Sequence, residues 1–227
     1  MARPDPSHAP VTLAIFDLDN TLLRGDSDYQ WGQFLIAKGA VDAERVAAEH
    51  DRYYAQYLEG TLDIQEFLAF QLRPLAEHDR ATLEAWREEF VRDFIRPLVT
   101  DEARALVADH RRRGHRPLII TATNRFITAP IAALFGIADL LATEPETRDG
   151  RFTGRVAGVP CYREGKVARL EAWLAETGES LAGSWFYSDS HNDLPLLERV
   201  DHPVAVNPDP TLAAEARRRG WDVLELA

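Results

Sequence analysis

The chain has 227 residues, 45% of them hydrophobic, enough for one substantial core or for a core domain with a smaller insert. Its 26 Lys and Arg residues stand against 37 Asp and Glu, a net charge of -11, so neither nucleic acid nor an acidic membrane surface is expected as a partner. A single cysteine, Cys161, excludes an intrachain disulfide, no apolar run approaches the roughly 20 residues of a bilayer span, and residues 1–10 carry no apolar signal core, which together predict a soluble cytoplasmic protein.

After a Pro-rich tail, residues 11–16 form a short apolar run that ends on acidic residues, which predicts a buried parallel strand with function at its C-terminal end. The runs 118–120 before Thr121, 185–187 before Ser188 and Asp189, and 204–206 before Asn207 have the same form. Helical patterns over 101–113, 126–135 and 166–175 alternate with them, so the fold class is α/β, a doubly wound parallel sheet. Ligands of such sheets sit outside the carboxyl ends of the strands. About a hundred residues separate the first strand from the second, far more than one crossover needs. Apolar and aromatic residues three and four apart over 29–38, 42–58, 64–72 and 82–94 make that interval helical. This predicts an inserted α-helical cap domain over 25–97, with 1–24 and 98–227 forming a Rossmann-like core. Asp149-Gly150 predicts a β-hairpin turn.

The strongest local signal is Phe16-Asp17-Leu18-Asp19-Asn20-Thr21, two carboxylates two residues apart at a strand end. Phosphoryl transfer needs such groups: one Asp can attack phosphorus, a second carboxyl can carry the leaving-group proton, and a cation on oxygen ligands offsets the charge. Taken alone, an acidic pair at a strand end is more often a helix cap or a solvated turn than a catalytic dyad, and Asp189 and Asp193 could cap the helix starting near Pro195. Thr121 alone is a strand-end hydroxyl and Lys166 alone a surface cation.

Asp-x-Asp-x-Thr after an apolar strand resembles the first motif of the haloacid-dehalogenase-like (HAD) phosphatases. The other three motifs have counterparts in order: Thr121, then Lys166 in Glu164-Gly165-Lys166, then the run from Ser188 to Pro195. The resemblance implies a Mg²⁺-dependent phosphomonoesterase with Asp17 as the nucleophile and Asp19 as general acid and base. It further implies that the Thr121 hydroxyl and the Ala122 N–H bind phosphoryl oxygens, and that Lys166 holds nucleophile and phosphate together. Asp189 would bind Mg²⁺ with the Asp17 side chain and the Asp19 main-chain carbonyl, with Asp193 orienting the metal or Lys166 and Asn192 supporting the site. The long insert resembles the phosphoserine-phosphatase-like subgroup, whose cap closes over the site and selects the leaving group.

In phosphoserine phosphatases a Glu after the first motif binds the substrate ammonium and a cap Arg binds its carboxylate. This chain has Asp26 and Asp28 in the first place and Gln71 in the second, with Arg73 two residues on. Two residues turn a helix by roughly 200°, so Arg73 faces elsewhere unless the helix ends at Pro74. An acidic loop without a carboxylate clamp suits a cationic phosphomonoester better than a zwitterionic amino-acid phosphate, so histidinol phosphate is the expected substrate and phosphoserine the alternative. Residues 25–28 followed by Trp31-Gly32 are also similar to certain bacterial histidinol-phosphate phosphatases of this subgroup.

Two other classes share parts of the chemistry. Receiver-type signalling domains phosphorylate an Asp beside a Thr and a Lys, but lack a second Asp two residues later and a long helical insert. A phosphotransferase or mutase on the same fold would pass the phosphoryl group to a substrate rather than to water. His191 lies between Ser188 and Asp193 in sequence only, which does not make a triad. Cys161 lacks metal-binding partners and reads as an inert thiol. The arginine runs before Gly114 and Gly220 read as solvated helix ends. Trp31, Tyr53, Tyr54, Tyr57 and Trp86 read as residues of the cap's own core, with Trp31 or Tyr54 as alternative pocket residues.

Overall fold

The computed structural model describes residues 11–226; the expectation about residues 1–10 lies outside them. Seven strands form one sheet: β1 (Leu13–Phe16), β2 (Arg116–Asn124), β3 (Asp139–Arg148), β4 (Arg151–Ala157), β5 (Trp185–Ser188), β6 (His202–Val206) and β7 (Asp222–Leu224), in the order β4-β3-β2-β1-β5-β6-β7. Every neighbouring pair is parallel except β3 with β4, the hairpin closed at Asp149-Gly150. The central strands are buried on both faces, and their residues alternate between two apolar clusters. Ala14, Phe16, Ile119 and Tyr187 belong to one cluster, and Leu13, Ile15, Ile120 and Phe186 to the other. That alternation is the period of two expected of a strand covered on both sides. The strand order reverses direction at β1, between β2 and β5, and there the carboxyl ends open a crevice.

Four helices lie between β1 and β2: α1 (Ser27–Ala37), α2 (Ala43–Glu59), α3 (Ile64–Glu77) and α4 (Arg80–Phe90). Asp26, Asp42, Asp63 and Asp79 cap their N-termini, each carboxylate accepting a first-turn N–H. A π-helical turn, Val91–Ile95, and a 3₁₀ turn, Arg96–Leu98, lead back to the sheet. The outgoing and returning segments meet at their base, where Leu23 and Val99 form an antiparallel bridge and the Arg24 N–H donates to the Leu98 carbonyl at 2.9 Å. Trp31 stacks on Phe34 and meets Phe90 edge-on, and all three join the apolar cluster of one sheet face, so α1 and α4 share a core with β1 and β2. Among the described residues five further helices follow: α5 (Asp101–Arg112), α6 (Arg125–Leu134), α7 (Glu164–Thr177), α8 (Leu194–Leu197) and α9 (Pro210–Arg219).

The structure departs from the sequence reading in three places. The helix expected to stop near Leu72 continues through Pro74 to Glu77, because Leu72 and Leu75 on either side of the proline are both buried and their packing outweighs one lost hydrogen bond. The acidic segment 25–28 is only partly a loop, since α1 begins at Ser27 and Asp26 is its cap. Strands β3 and β7 join the four expected core strands.

Burial also leaves a titratable group behind the sheet. His110 on α5 is enclosed, its Nε2 2.7 Å from the Tyr187 hydroxyl and its Nδ1 2.9 Å from Nδ1 of His115. Burial, then the nearby His115 and Arg113, holds its pKa down to about 4 from 6.5. Between those values the unfolded chain binds a proton that the folded chain does not, so stability is lost as pH falls through that window. Urea unfolding of His110→Gln between pH 7 and pH 4 is expected to show a shallower acid loss than the parent chain; superimposable profiles would assign the acid sensitivity elsewhere.

Candidate active site

Asp17 follows β1 directly, and its N–H donates to the Tyr187 carbonyl of β5 at 2.9 Å, which fixes the backbone at the crevice. The chain then turns tightly, with the N–H groups of Leu22 and Leu23 both donating to the Leu18 carbonyl at 2.9 Å and Asn20 at φ 58. This turn holds the Asp19 carboxylate against the start of α1. It accepts from the Ser27 N–H at 2.7 Å, from the Thr123 hydroxyl at 2.8 Å and more weakly from the Thr121 hydroxyl at 3.4 Å. Burial and then the charge of Asp26 push Asp19 up to about 6, although those hydrogen bonds favour its ionised form.

Lys166 enters from the first turn of α7. The approach is set by Gly165, where a Cβ would lie 2.0 Å from the Pro160 carbonyl oxygen, so only glycine lets the two backbone segments come this close. Lys166 Nζ donates to Asp17 at 2.6 Å and to Asp193 at 2.7 Å, and the Ser188 hydroxyl donates to the same Asp193 oxygen at 2.7 Å. Asp17, Lys166 and Asp193 are all buried. Burial nevertheless pushes Asp17 up to about 7 against the pull of Lys166, with Asp193 and Asp19 adding to the rise. Asp189, after β5, accepts from the Thr21 hydroxyl at 3.2 Å and is likewise raised by burial and by Asp17 and Asp193.

A cavity of about 370 Å³ opens over this floor. It is lined by the sequence-predicted residues Asp17, Asp19, Thr121, Ala122 and Lys166, with Asn192 and Asp193 beside them. Its walls come from α1, α2 and α3 and include Asp26, Asp28 and the buried Gln71. Of the sequence-predicted residues, Asp189 and Arg73 are not in its lining. Because α3 continues past Pro74, Arg73 points outward, 56% exposed, and pairs with Glu77 at 2.7 Å. Trp31 is fully buried in the shared core, whereas Tyr53, Tyr54 and Tyr57 line the cavity. Cys161 is buried, its thiol pushed up to about 12 by desolvation.

Some contributors were not among the sequence-predicted residues. Thr123 bridges Asp19 and Asp28, at 2.8 and 3.2 Å, and sits two residues after Thr121 on the same strand, so strand alternation could have found it. Ser27 acts through its backbone N–H and Ser188 through proximity created by the fold, and neither is visible in a sequence.

A protein-family model described as haloacid dehalogenase-like hydrolase matches residues 14–198, most of the chain. The chain belongs to the haloacid dehalogenase-like hydrolases. Within that family it is similar to a histidinol-phosphatase of Neisseria meningitidis serogroup C, 49% identical over 216 residues that cover 93% of this chain and 97% of the relative. A crystal structure of a Bordetella pertussis protein of unknown function is 48% identical, covers 95% of this chain and 99% of its own, and superposes with a TM-score of 0.89. A substrate-bound phosphoserine phosphatase shares the fold at 18% identity, with a TM-score of 0.70 over 96% of this chain and 94% of its own. This member of the haloacid dehalogenase-like hydrolases is therefore a phosphatase.

Proposed function

We propose that the protein hydrolyses a small amine-bearing phosphate ester, histidinol phosphate, through an aspartyl phosphate on Asp17. The observation that carries the substrate is the charge of the cavity: among the described residues it is lined by six aspartates and a single Lys or Arg, Lys166. His50, which also lines it, is kept neutral by burial. Asp28 is buried next to Asp26 and Asp19, its pKa raised well above the ordinary value by desolvation and then by those charges, and its Oδ1 has no hydrogen-bond partner among the described residues. A substrate ammonium would relieve this cost, whereas a substrate carboxylate would find Gln71 in place of a cation. Tyr29, Tyr53 and Phe67 supply flat apolar walls for a ring. The similarity to the Neisseria histidinol-phosphatase supports the same reading.

Mg²⁺ fits the donor set. No cluster of three or more metal-ligating side chains occurs among the described residues, but the proposed ligands are two carboxylates, Asp17 and Asp189, with the Asp19 main-chain carbonyl. These are hard oxygen donors in a buried acidic centre that Lys166 alone does not neutralise. When bound there, Mg²⁺ would offset the charge of the phosphoryl oxygens. In the proposed mechanism an Asp17 oxygen bonds to phosphorus as the ester P–O bond breaks, and Asp19 gives its proton to the departing oxygen. Asp19 then takes a proton from the water that cleaves the aspartyl phosphate. A carboxyl with a pKa of about 6 can do both near neutral pH. Thr121, the Ala122 N–H and Lys166 hold the phosphoryl oxygens, and Asp193 and Asn192 keep Lys166 and the loop in place. The same reading gives a small-molecule partner and a cytoplasmic enzyme; no helix among the described residues is long and apolar enough to cross a membrane.

Phosphate release with Mg²⁺ from histidinol phosphate, phosphoserine and simple sugar phosphates tests this. Histidinol phosphate is expected to exceed phosphoserine in kcat/KM by about tenfold or more, the discrimination available when one substrate leaves a charge unpaired. Preference for phosphoserine would overturn the substrate, and no release from any ester without an added acceptor would overturn hydrolysis itself.

A further inference from the structure

Arg163 stands at the start of α7, three residues before Lys166, with φ 50 and ψ -120. A residue with a Cβ is held in such a conformation only when its surroundings impose it. Its side chain does not cap α7. The guanidinium instead reaches two acceptors on different parts of the molecule, with Nε donating to Asn192 Oδ1 at 2.9 Å and Nη2 donating to the Gly60 carbonyl at 2.8 Å. The Tyr162 hydroxyl donates to the same Asn192 oxygen at 3.0 Å, and Asn192 Nδ2 donates to the Tyr57 carbonyl at 3.3 Å. The last turn of α2 is thus tied through two of its carbonyls to the loops that carry Lys166 and Asp193. A cation at a helix C-terminus also meets the negative end of the helix dipole. Gly60 closes α2 at φ 70, and a Cβ there would lie 2.8 Å from Arg163 Nη2 and 3.4 Å from His191 Nε2, so the seam is fitted to glycine. Tyr57 and Asn192 line the cavity.

We infer that Arg163 is a positioning residue that latches the end of α2 over the reaction centre and so makes turnover depend on the leaving group. Arg163 does not line the cavity and takes no part in the chemistry. By holding the Gly60 carbonyl and the Asn192 side chain, whose amide donates to the Tyr57 carbonyl, it fixes the end of α2, and with it the cavity wall, over Lys166. This inference rests on the leaving group occupying the chamber between α1, α2 and α3, and not on which amine it carries.

The test uses the full chain with Mg²⁺ and the variants Arg163→Ala, Arg163→Lys, Gly60→Ala and the double variant Gly60→Ala/Arg163→Ala. One readout is kcat/KM for histidinol phosphate, or for phosphoserine if the parent prefers it, alongside p-nitrophenyl phosphate, whose activated leaving group needs no wall to hold it. The other is amide hydrogen exchange of residues 57–63 without substrate. Arg163→Ala is expected to lower kcat/KM for the preferred ester by about tenfold, mainly through KM, to change p-nitrophenyl phosphate by less than about twofold, and to speed exchange at 57–63 by about tenfold. Gly60→Ala should reproduce this from the other side of the contact, with the double variant no worse. Arg163→Lys should recover only part, since an ammonium cannot span both acceptors. Parallel losses on both esters would reduce Arg163 to structural support for Lys166, fully additive losses would separate the two sites, and unchanged kinetics and exchange would leave the contacts idle; each overturns the latch. Exchange is read without substrate, so an error in the assigned ester shows in the parent enzyme and does not imitate failure of the latch.

Discussion

Asp17→Asn is expected to lower kcat by on the order of 10⁴-fold or more, the scale seen when a nucleophile is removed from a unit of cooperating groups. The amide keeps the shape of the carboxyl but cannot form the acyl phosphate bond, so positioning by Lys166, Thr121 and Asp19 has nothing to act on. The fold should survive. Lys166 retains Asp193 at 2.7 Å, and burial already works against the charge of Asp17, so replacing it with a neutral group removes a cost as well as an attraction. Quench-flow with a labelled ester should show no phosphorylated enzyme in the variant, with circular dichroism and thermal midpoint close to the parent. Substantial residual turnover would reject Asp17 as the nucleophile and reopen the role of Asp19.

Lys166→Met is expected to damage both stability and activity, and for one reason. Lys166 is the charged partner of two buried carboxylates, at 2.6 and 2.7 Å, and methionine leaves Asp17 and Asp193 facing each other without it. Breaking a buried pair in this way costs about 3–5 kcal/mol, because the uncompensated charge remains inside. Activity should fall by about 10²- to 10³-fold, as when one preorganised donor to transferring oxygens is lost. The double variant Lys166→Met/Asp193→Asn separates the two effects. It should regain part of the stability, having one buried charge fewer, without regaining activity. Denaturant midpoints that leave the double variant as unstable as the single one would show that the lost pairs are not what destabilises the protein.

The parts of this architecture that a sequence reveals are those where neighbouring residues decide the outcome. Strands β1, β5 and β6 announce themselves because both faces are covered, making continuous apolar runs. The edge strand β7 contains Asp222 and an exposed Val223 and gives no such run, and β3 starts on Asp139 and ends in charged and turn-forming residues. In the proposed site, Asp17 and Asp189 are legible because each directly follows a strand, and Asp19 because it comes two residues after Asp17. The cap walls are not. Helical spacing in α2 identified an apolar face with Tyr53 and Tyr57 but not what that face looks onto, and Asp51 carried no signal. Arg163 looked like any arginine before a helix, since its partners Gly60 and Asn192 lie 103 and 29 residues away in the chain.

The pinched base at Leu23 and Val99 bears on how such an enzyme diverges. The insert leaves and re-enters the sheet at one hydrogen-bonded point, so lengthening or shortening it changes loop-closure entropy only slowly and leaves strand register alone. Its inner helices share the sheet's core through Trp31 and Phe90, whereas Val46 and Tyr53 of α2 are buried outside both main clusters. If α2 walls the leaving group as proposed, mutations that retune that wall fall where the sheet's core has least to lose, so substrate choice can change while the proposed reaction centre is kept.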